Sequence, residues 1–159
     1  MAIRKFLSRD HKFYASSDNR ATWIPVSGIS TWGWTVDNND EDVSTVDDGG
    51  WGSSIYTQHT ASLTLEGFKL LDPVNGARDQ GQLTVERAST KIGYDAYLDL
   101  KIAFVPTLSG VQTTEMGSII VTGSVAMGDM GGAVTDVEPW NIEVGILGKP
   151  LGSGIYNIF

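Results

Sequence analysis

The feature that most constrains this chain is side-chain alternation with a period of two, recurring in separate segments along its length. Ala61, Leu63 and Leu65 alternate with Ser62, Thr64 and Glu66. Leu98, Leu100, Ile102 and Phe104 alternate with Tyr97, Asp99 and Lys101. Ile119, Val121, Val125 and Met127 oppose Thr122 and Ser124, and Trp140, Ile142, Val144 and Ile146 oppose Asn141 and Glu143. A strand turns successive side chains to opposite faces, so each segment predicts a strand with one apolar face. Antiparallel sheets covered on one side have this pattern. Trp23 to Val36, with Ile24, Val26, Trp32, Trp34 and Val36 on even positions, predicts one long strand or two bent at Gly28. The 19 glycines spread among Thr, Ser and Val supply the turns that many short strands need.

One segment departs from the pattern. Over 79–92, Asp79 and Gln82 stand at the spacing of a reciprocal helix cap. Val85, Ala88 and Ile92 then share one face, Lys91 falls in the last turn, and Gly93 suits a left-handed stop. This predicts one amphipathic helix lying against a sheet. The order is an N-terminal arm (1–17), a strand, an acidic loop (37–52), a strand, the helix (79–92), three strands and a C-terminal segment (151–159). The fold class is α+β, mainly β: two packed antiparallel sheets, as a sandwich or barrel, with one flanking α-helix. At 159 residues the chain fits a single domain.

Charge is unevenly placed. The net charge is −8, which argues against a surface built to grip phosphate. Arg4, Lys5, Arg9 and Lys12 lie in the first twelve residues. Asp37, Asp40, Glu41, Asp42, Asp47 and Asp48 crowd into 37–48 with no basic residue among them. Such polarity lets the basic arm of one copy meet the acidic loop of another, while two solvated segments would read the same way. Cysteine is absent, which removes disulfides and thiolate metal sites. No stretch approaches 18 consecutive apolar residues, and Met1–Asp10 lacks the apolar run of a secretory leader. The expectation is a protein made and used without crossing a membrane by the secretory route.

Catalytic readings find little support. His11 and His59 are the only histidines, no serine sits in a G-x-S-x-G elbow, and no phosphate-cradling glycine loop is present. No cofactor is expected. Asp37, Asn39, Glu41 and Asp48 mimic calcium-loop spacing, but Asp42 occupies the position that needs a turn glycine. Trp32 and Trp34 share a face, either as core and subunit contact or as a carbohydrate platform.

The order of several local motifs carries a resemblance. They are Trp23-Ile24-Pro25-Val26-Ser27-Gly28-Ile29, the acidic stretch ending Asp47-Asp48-Gly49-Gly50-Trp51, and the polar strand Ser54 to Glu66. The Asp72-Pro73 turn leads to Asp79-Gln80-Gly81-Gln82, and Gly128-Asp129-Met130-Gly131-Gly132 precedes Trp140-Asn141-Ile142-Glu143-Val144 and Gly148-Lys149-Pro150. Over roughly 20–150 this order resembles the tail tube (major tail) proteins of long-tailed bacteriophages. The resemblance implies a non-enzymatic virion protein that self-assembles into hexameric rings, stacked as a hollow tube through which DNA reaches the host. It implies stacking contacts at Asp37, Asp40, Glu41, Asp42, Asp47, Asp48 and Trp51. It also implies subunit contacts at the chain ends, through Arg4, Lys5, Phe6, Arg9, Ile158 and Phe159. Tape measure, tail terminator and distal tail proteins are the implied partners, DNA passes without specific binding, and no membrane is involved. The implied location is the virion tail, assembled in the host cytoplasm. A tube protein of a contractile injection system would share the fold, and a carbohydrate-binding β-sandwich using Trp32 and Trp34 is the reading from another class.

Overall fold

The computed structural model describes residues 7–45, 47, 51–108, 111–128 and 137–157. Its strands are β1 (His11–Ser16), β2 (Ile24–Val26), β3 (Ile29–Asp42), β4 (Ser54–Phe68), β5 (Tyr97–Phe104), β6 (Thr107–Leu108), β7 (Val111–Gln112), β8 (Gly117–Met127), β9 (Pro139–Ile146) and β10 (Leu151–Gly154). Among the described residues one α-helix, α1 (Gln80–Ser89), stands between β4 and β5. Eight strands form one antiparallel sheet in the order β2-β1-β5-β8-β9-β4-β3, with β10 also on β8, and β6 and β7 make a small separate hairpin.

This sheet folds over itself. β1 and β3 stand far apart in strand order, yet the rings of Phe13 and Trp32 lie 6.0 Å apart and those of His11 and Trp32 4.8 Å apart. The two leaves thus enclose a core in which Leu63, Leu65, Leu98, Leu100, Ile102, Val121, Trp140 and Val144 are wholly buried. The predicted mainly-β class with one flanking helix, and the inward faces of β4, β5, β8 and β9, are as the alternation requires. β8 serves as the joint between the leaves. Along one edge it pairs with β5 from Gly117 to Ser124. Along its other edge, residues 117–120 pair with β10 and residues 123–127 pair with β9.

The helix is shorter than 79–92 and its cap is different. Asp79 Oδ1 accepts from the Gln82 amide at 2.8 Å, as a helix N-cap should. The Gln82 side chain does not reach back to complete the pair. It is fully buried, donates to Ser27 O (2.9 Å) and Phe68 O (2.8 Å), and accepts from Leu70 N at 3.2 Å. Three backbone groups that would otherwise be buried without partners are satisfied, which ties the β2–β3 bend to the end of β4. The bend is at Gly28, with φ +82 and Phe68 O only 2.6 Å from where a Cβ would stand. Val85 and Ala88 enter the core, but Ile92 lies beyond the helix end and is 91% exposed. The chain had already left the helix at Thr90, so the i+7 position no longer falls on the buried face.

The N-terminal arm also needs correction. Residues 11–16 form an inner strand, flanked by β2 and β5, with Phe13, Ala15 and Ser16 buried. Charge dominates the sequence of the arm, but Phe13 and Ala15 already alternate with Lys12 and Tyr14. The turn after β1 is held by polar contacts. Arg20, at φ +69, donates through Nε to Asp99 at 3.0 Å and through Nη2 to Thr122 Oγ1 at 2.9 Å. Asp99 is buried on the face expected to meet water because Arg20 and Thr122 cover it.

Candidate assembly surfaces

β4 is longer than the body it belongs to. It pairs with β3 along its length, but with β9 only from Ala61 to Phe68. Asp37–Asp42 and Ser54–Thr60 therefore form a two-stranded ribbon with no third strand among the described residues, reaching about 20 Å beyond the sheet at ~3.3 Å per residue. Every residue of both segments is exposed. The predicted acidic loop from Asp37 is thus ladder up to Asp42. Strand formers on the other limb (Ile55, Tyr56, Thr57, Thr60) carry the polar limb into register, an influence invisible in its own sequence.

Thr57 bulges between the Asn39↔Gln58 and Asp40↔Tyr56 pairs, its hydroxyl donating to Asn39 O at 3.1 Å. Beyond Asp42 the two limbs stay joined, Val43 N donating to Ser53 O at 2.9 Å and Ser53 N to Ser44 Oγ at 2.7 Å. Asp42 accepts from the Ser44 hydroxyl and from the Ser44 amide at 2.8 Å, and these, the hydroxyl foremost, hold its carboxyl below the usual range.

The ribbon sorts its charges by face. Asp40 and Asp42 continue the face of Trp32 and Trp34, while Asp37 and Glu41 occupy the opposite one. Asp37, Asn39 and Glu41 follow one another at ~7 Å along a single strand face, too far apart to converge on one calcium ion. Among the described residues, no group of three or more His, Cys, Asp or Glu is placed to hold a metal. The ion pairs there are Arg20–Asp99, Lys69–Glu138, Arg78–Glu86 and Lys101–Glu115. None includes Asp37, Asp40, Glu41, Asp42 or Asp47, so the ribbon's charge is uncompensated within these residues. Trp51 is 81% exposed and Tyr56 67%, an apolar load unusual for a free ribbon. Asp48 lies outside the described residues.

A second surface lies where the ends of the curled sheet approach each other. β2 covers only residues 13–15 of β1, leaving the edge at His11 and Lys12 unpaired among the described residues. Across from it stands the start of β3, and between them is a cavity of about 780 Å³ lined by Arg9, His11, Lys12, Ile29, Thr31 and Trp32, among others. Among the described residues no carboxylate lines it. Arg9, in the 3-10 turn Ser8–Asp10, is exposed and belongs to no ion pair among the described residues, and neither does Lys12. His11 faces the aromatic side of this seam. Its Nδ1 is 3.2 Å from Ser8 O and its Nε2 2.5 Å from the Tyr156 hydroxyl. Tyr156, pushed up in pKa by burial, thereby anchors the segment after β10 to β1. Arg4, Lys5, Phe6, Ile158 and Phe159 lie outside the described residues.

A third hollow, of about 610 Å³, lies at the root of the ribbon between Trp34, Val36, Ala61, Ile146, Leu147 and Pro150. Sequence reading missed it, although the apolar Leu147 directly after a strand and before Gly148-Lys149-Pro150 was a usable signal. Trp32 and Trp34 are half-buried and pack against the core. His59 is taken up by Asn38 Oδ1 at 2.6 Å. No helix among the described residues is long and apolar enough to cross a membrane.

No family model matches the chain, and no curated protein matches its sequence. Solved structures do match it. A chain of the SPP1 tail tube, determined by solid-state NMR and cryo-EM, superposes with a TM-score of 0.64 at 13% identity, covering 94% of this chain and 80% of that one. A chain of the sixfold-symmetrised baseplate of the anti-feeding prophage gives 0.63 at 13% identity, with 98% and 99% covered. A chain of the PVC sheath–tube complex, an extracellular contractile injection system in its extended state, gives 0.60 at 8% identity, with 94% and 92% covered. With an eight-stranded antiparallel sheet, one flanking helix and overlap across nearly the whole length, this chain has the fold of the phage tail tube proteins.

Proposed function

We propose that the chain is a virion structural protein of the tail tube, acting by self-assembly and without catalysis. Six copies form a ring, and rings stack into a hollow tube that conducts DNA to the host. The subunits assemble in the host cytoplasm, in company with tape measure, terminator and distal tail proteins. The observation that carries this reading is the ribbon. It is a long, regular, hydrogen-bonded projection whose carboxylates meet no cation among the described residues, and whose Trp51 and Tyr56 side chains stand exposed. Two strands alone are marginal in water, so a ribbon of this length is built to be covered. A net charge of −8 also suits a conduit that must let phosphate pass without holding it. The residues at work are those of the ribbon and its tip, Asp37, Asp40, Glu41, Asp42, Asp47, Asp48 and Trp51, and those of the chain ends.

Negative-stain microscopy of the concentrated protein tests this directly. Stacked rings or tubes are expected, and a chain that stays monomeric at high concentration sinks the proposal. The match to a contractile injection system supports a second reading, in which the tube is enclosed by a contractile sheath. Micrographs of native particles separate the two by the presence or absence of that sheath.

A further inference from the structure

The ribbon and the basic seam are opposite ends of the same strand. Ile29 and Trp32 of β3 line the seam cavity, and Asp40–Asp42 end the same strand. Ten residues separate Trp32 from Asp42, about 33 Å of extended chain at ~3.3 Å per residue. That distance is several times the ~8 Å over which charges are felt in physiological salt. The ladder to β4 holds the strand extended. A subunit therefore cannot seat its own acidic ribbon on its own basic seam.

We infer that the acidic ribbon of one copy docks at the seam of the next, with Asp40, Glu41 and Asp42 meeting Arg9 and Lys12. This rests on the tube reading and names the two surfaces that meet within it. The charge complementarity is two-sided. Among the described residues, the seam has two cations with no ion-pair partner and no carboxylate in its lining, while the ribbon has carboxylates with no cation. The seam also has apolar walls at Ile29 and Trp32 to receive Tyr56, which faces the same side as Asp40. Joining two different surfaces of identical subunits gives head-to-tail association, which closes as a ring or continues as a stack.

The test is a charge swap read by sedimentation velocity. Wild-type association should weaken steeply from low to high salt. The variants R9E/K12E and D40K/E41K/D42K should each lose self-association by about tenfold or more, because like charges then face each other. An equimolar mixture should recover it, since each variant's ribbon complements the other's seam. Unchanged association of either variant, or a mixture that stays apart while both keep the wild-type melting curve, overturns the inference. Where the reversals perturb folding, R9Q/K12Q serves instead, with weaker association and reduced salt dependence expected. A wild-type chain that never associates overturns the tube reading itself, whereas tubes indifferent to the swap overturn only this pairing.

Discussion

The indole Nε1 of Trp140, wholly buried on β9, donates to Glu86 Oε1 on α1 at 3.1 Å. The same carboxylate takes two hydrogen bonds from Arg78, one at 2.8 Å. Through one side chain the helix is fastened both to the core of the sheet and to the turn before it.

Glu86→Ala leaves the Trp140 indole and a half-buried guanidinium without their partner, and should cost about 2–3 kcal/mol in urea unfolding. Burial alone would raise the Glu86 pKa, but the hydrogen bonds from Arg78 and Trp140 and the charges of Arg78 and Lys69 lower it overall. Its contribution is therefore fully present above the ordinary value of 4.5 and is lost as pH falls through the lowered folded value. Asp18, held at about 2 mainly by the Ser16 hydroxyl, adds a dependence of the same sign. Glu86→Gln should flatten the acid limb of a stability–pH curve, and an unchanged limb would refute the role given to this carboxylate.

Gly81 separates propensity from packing. Replacing a helical glycine by alanine ordinarily gains about 1 kcal/mol. Here the added Cβ would lie 2.1 Å from Pro25 O and 2.7 Å from Val26 Cα, contacts with backbone that cannot yield cheaply. Gly81→Ala should therefore destabilise, by roughly 2 kcal/mol net, as overpacking does. A raised melting temperature would show that α1 does not press on β2 as described.

Replacing Asp40–Tyr56 with a two-residue Asn-Gly turn removes both limbs of the outer ribbon. The β4–β9 pairing begins at Ala61, so the body keeps all of its register. The shortened protein should fold, melt within a few degrees of wild type, and fail to form rings or tubes in electron micrographs. Normal tubes would remove the ribbon from the assembly surface. Cutting only Asp40–Val46, as a loop reading would suggest, breaks the ladder on one side and tests folding instead.

How far the sequence spoke depends on whether a residue's surroundings are local. Leu63, Leu65, Trp140 and Ile142 announced their burial because each strand has one covered face. Asp99 did not, because its cover is Arg20, 79 positions away. Gln82 was legible as a cap partner but not as the link between Ser27, Phe68 and Leu70, which adjoin only after the sheet has curled. The acidic segment failed as a loop for the same reason, since its conformation is imposed by the limb opposite. At the assembly surfaces, the charges were legible and the geometry was not. Nothing in the sequence of Arg9 and Lys12 places them beside the first residues of β3.

The partial overlap of β4 and β9 also has a mechanical side. A pull on the ribbon tip along its axis draws both of its limbs together, so the load passes to the eight residue pairs from Ala61↔Ile146 to Phe68↔Pro139. Those pairs lie parallel to the force and resist in shear, all at once, instead of being peeled apart in turn. The projection is mounted on the body in the orientation that best withstands tension.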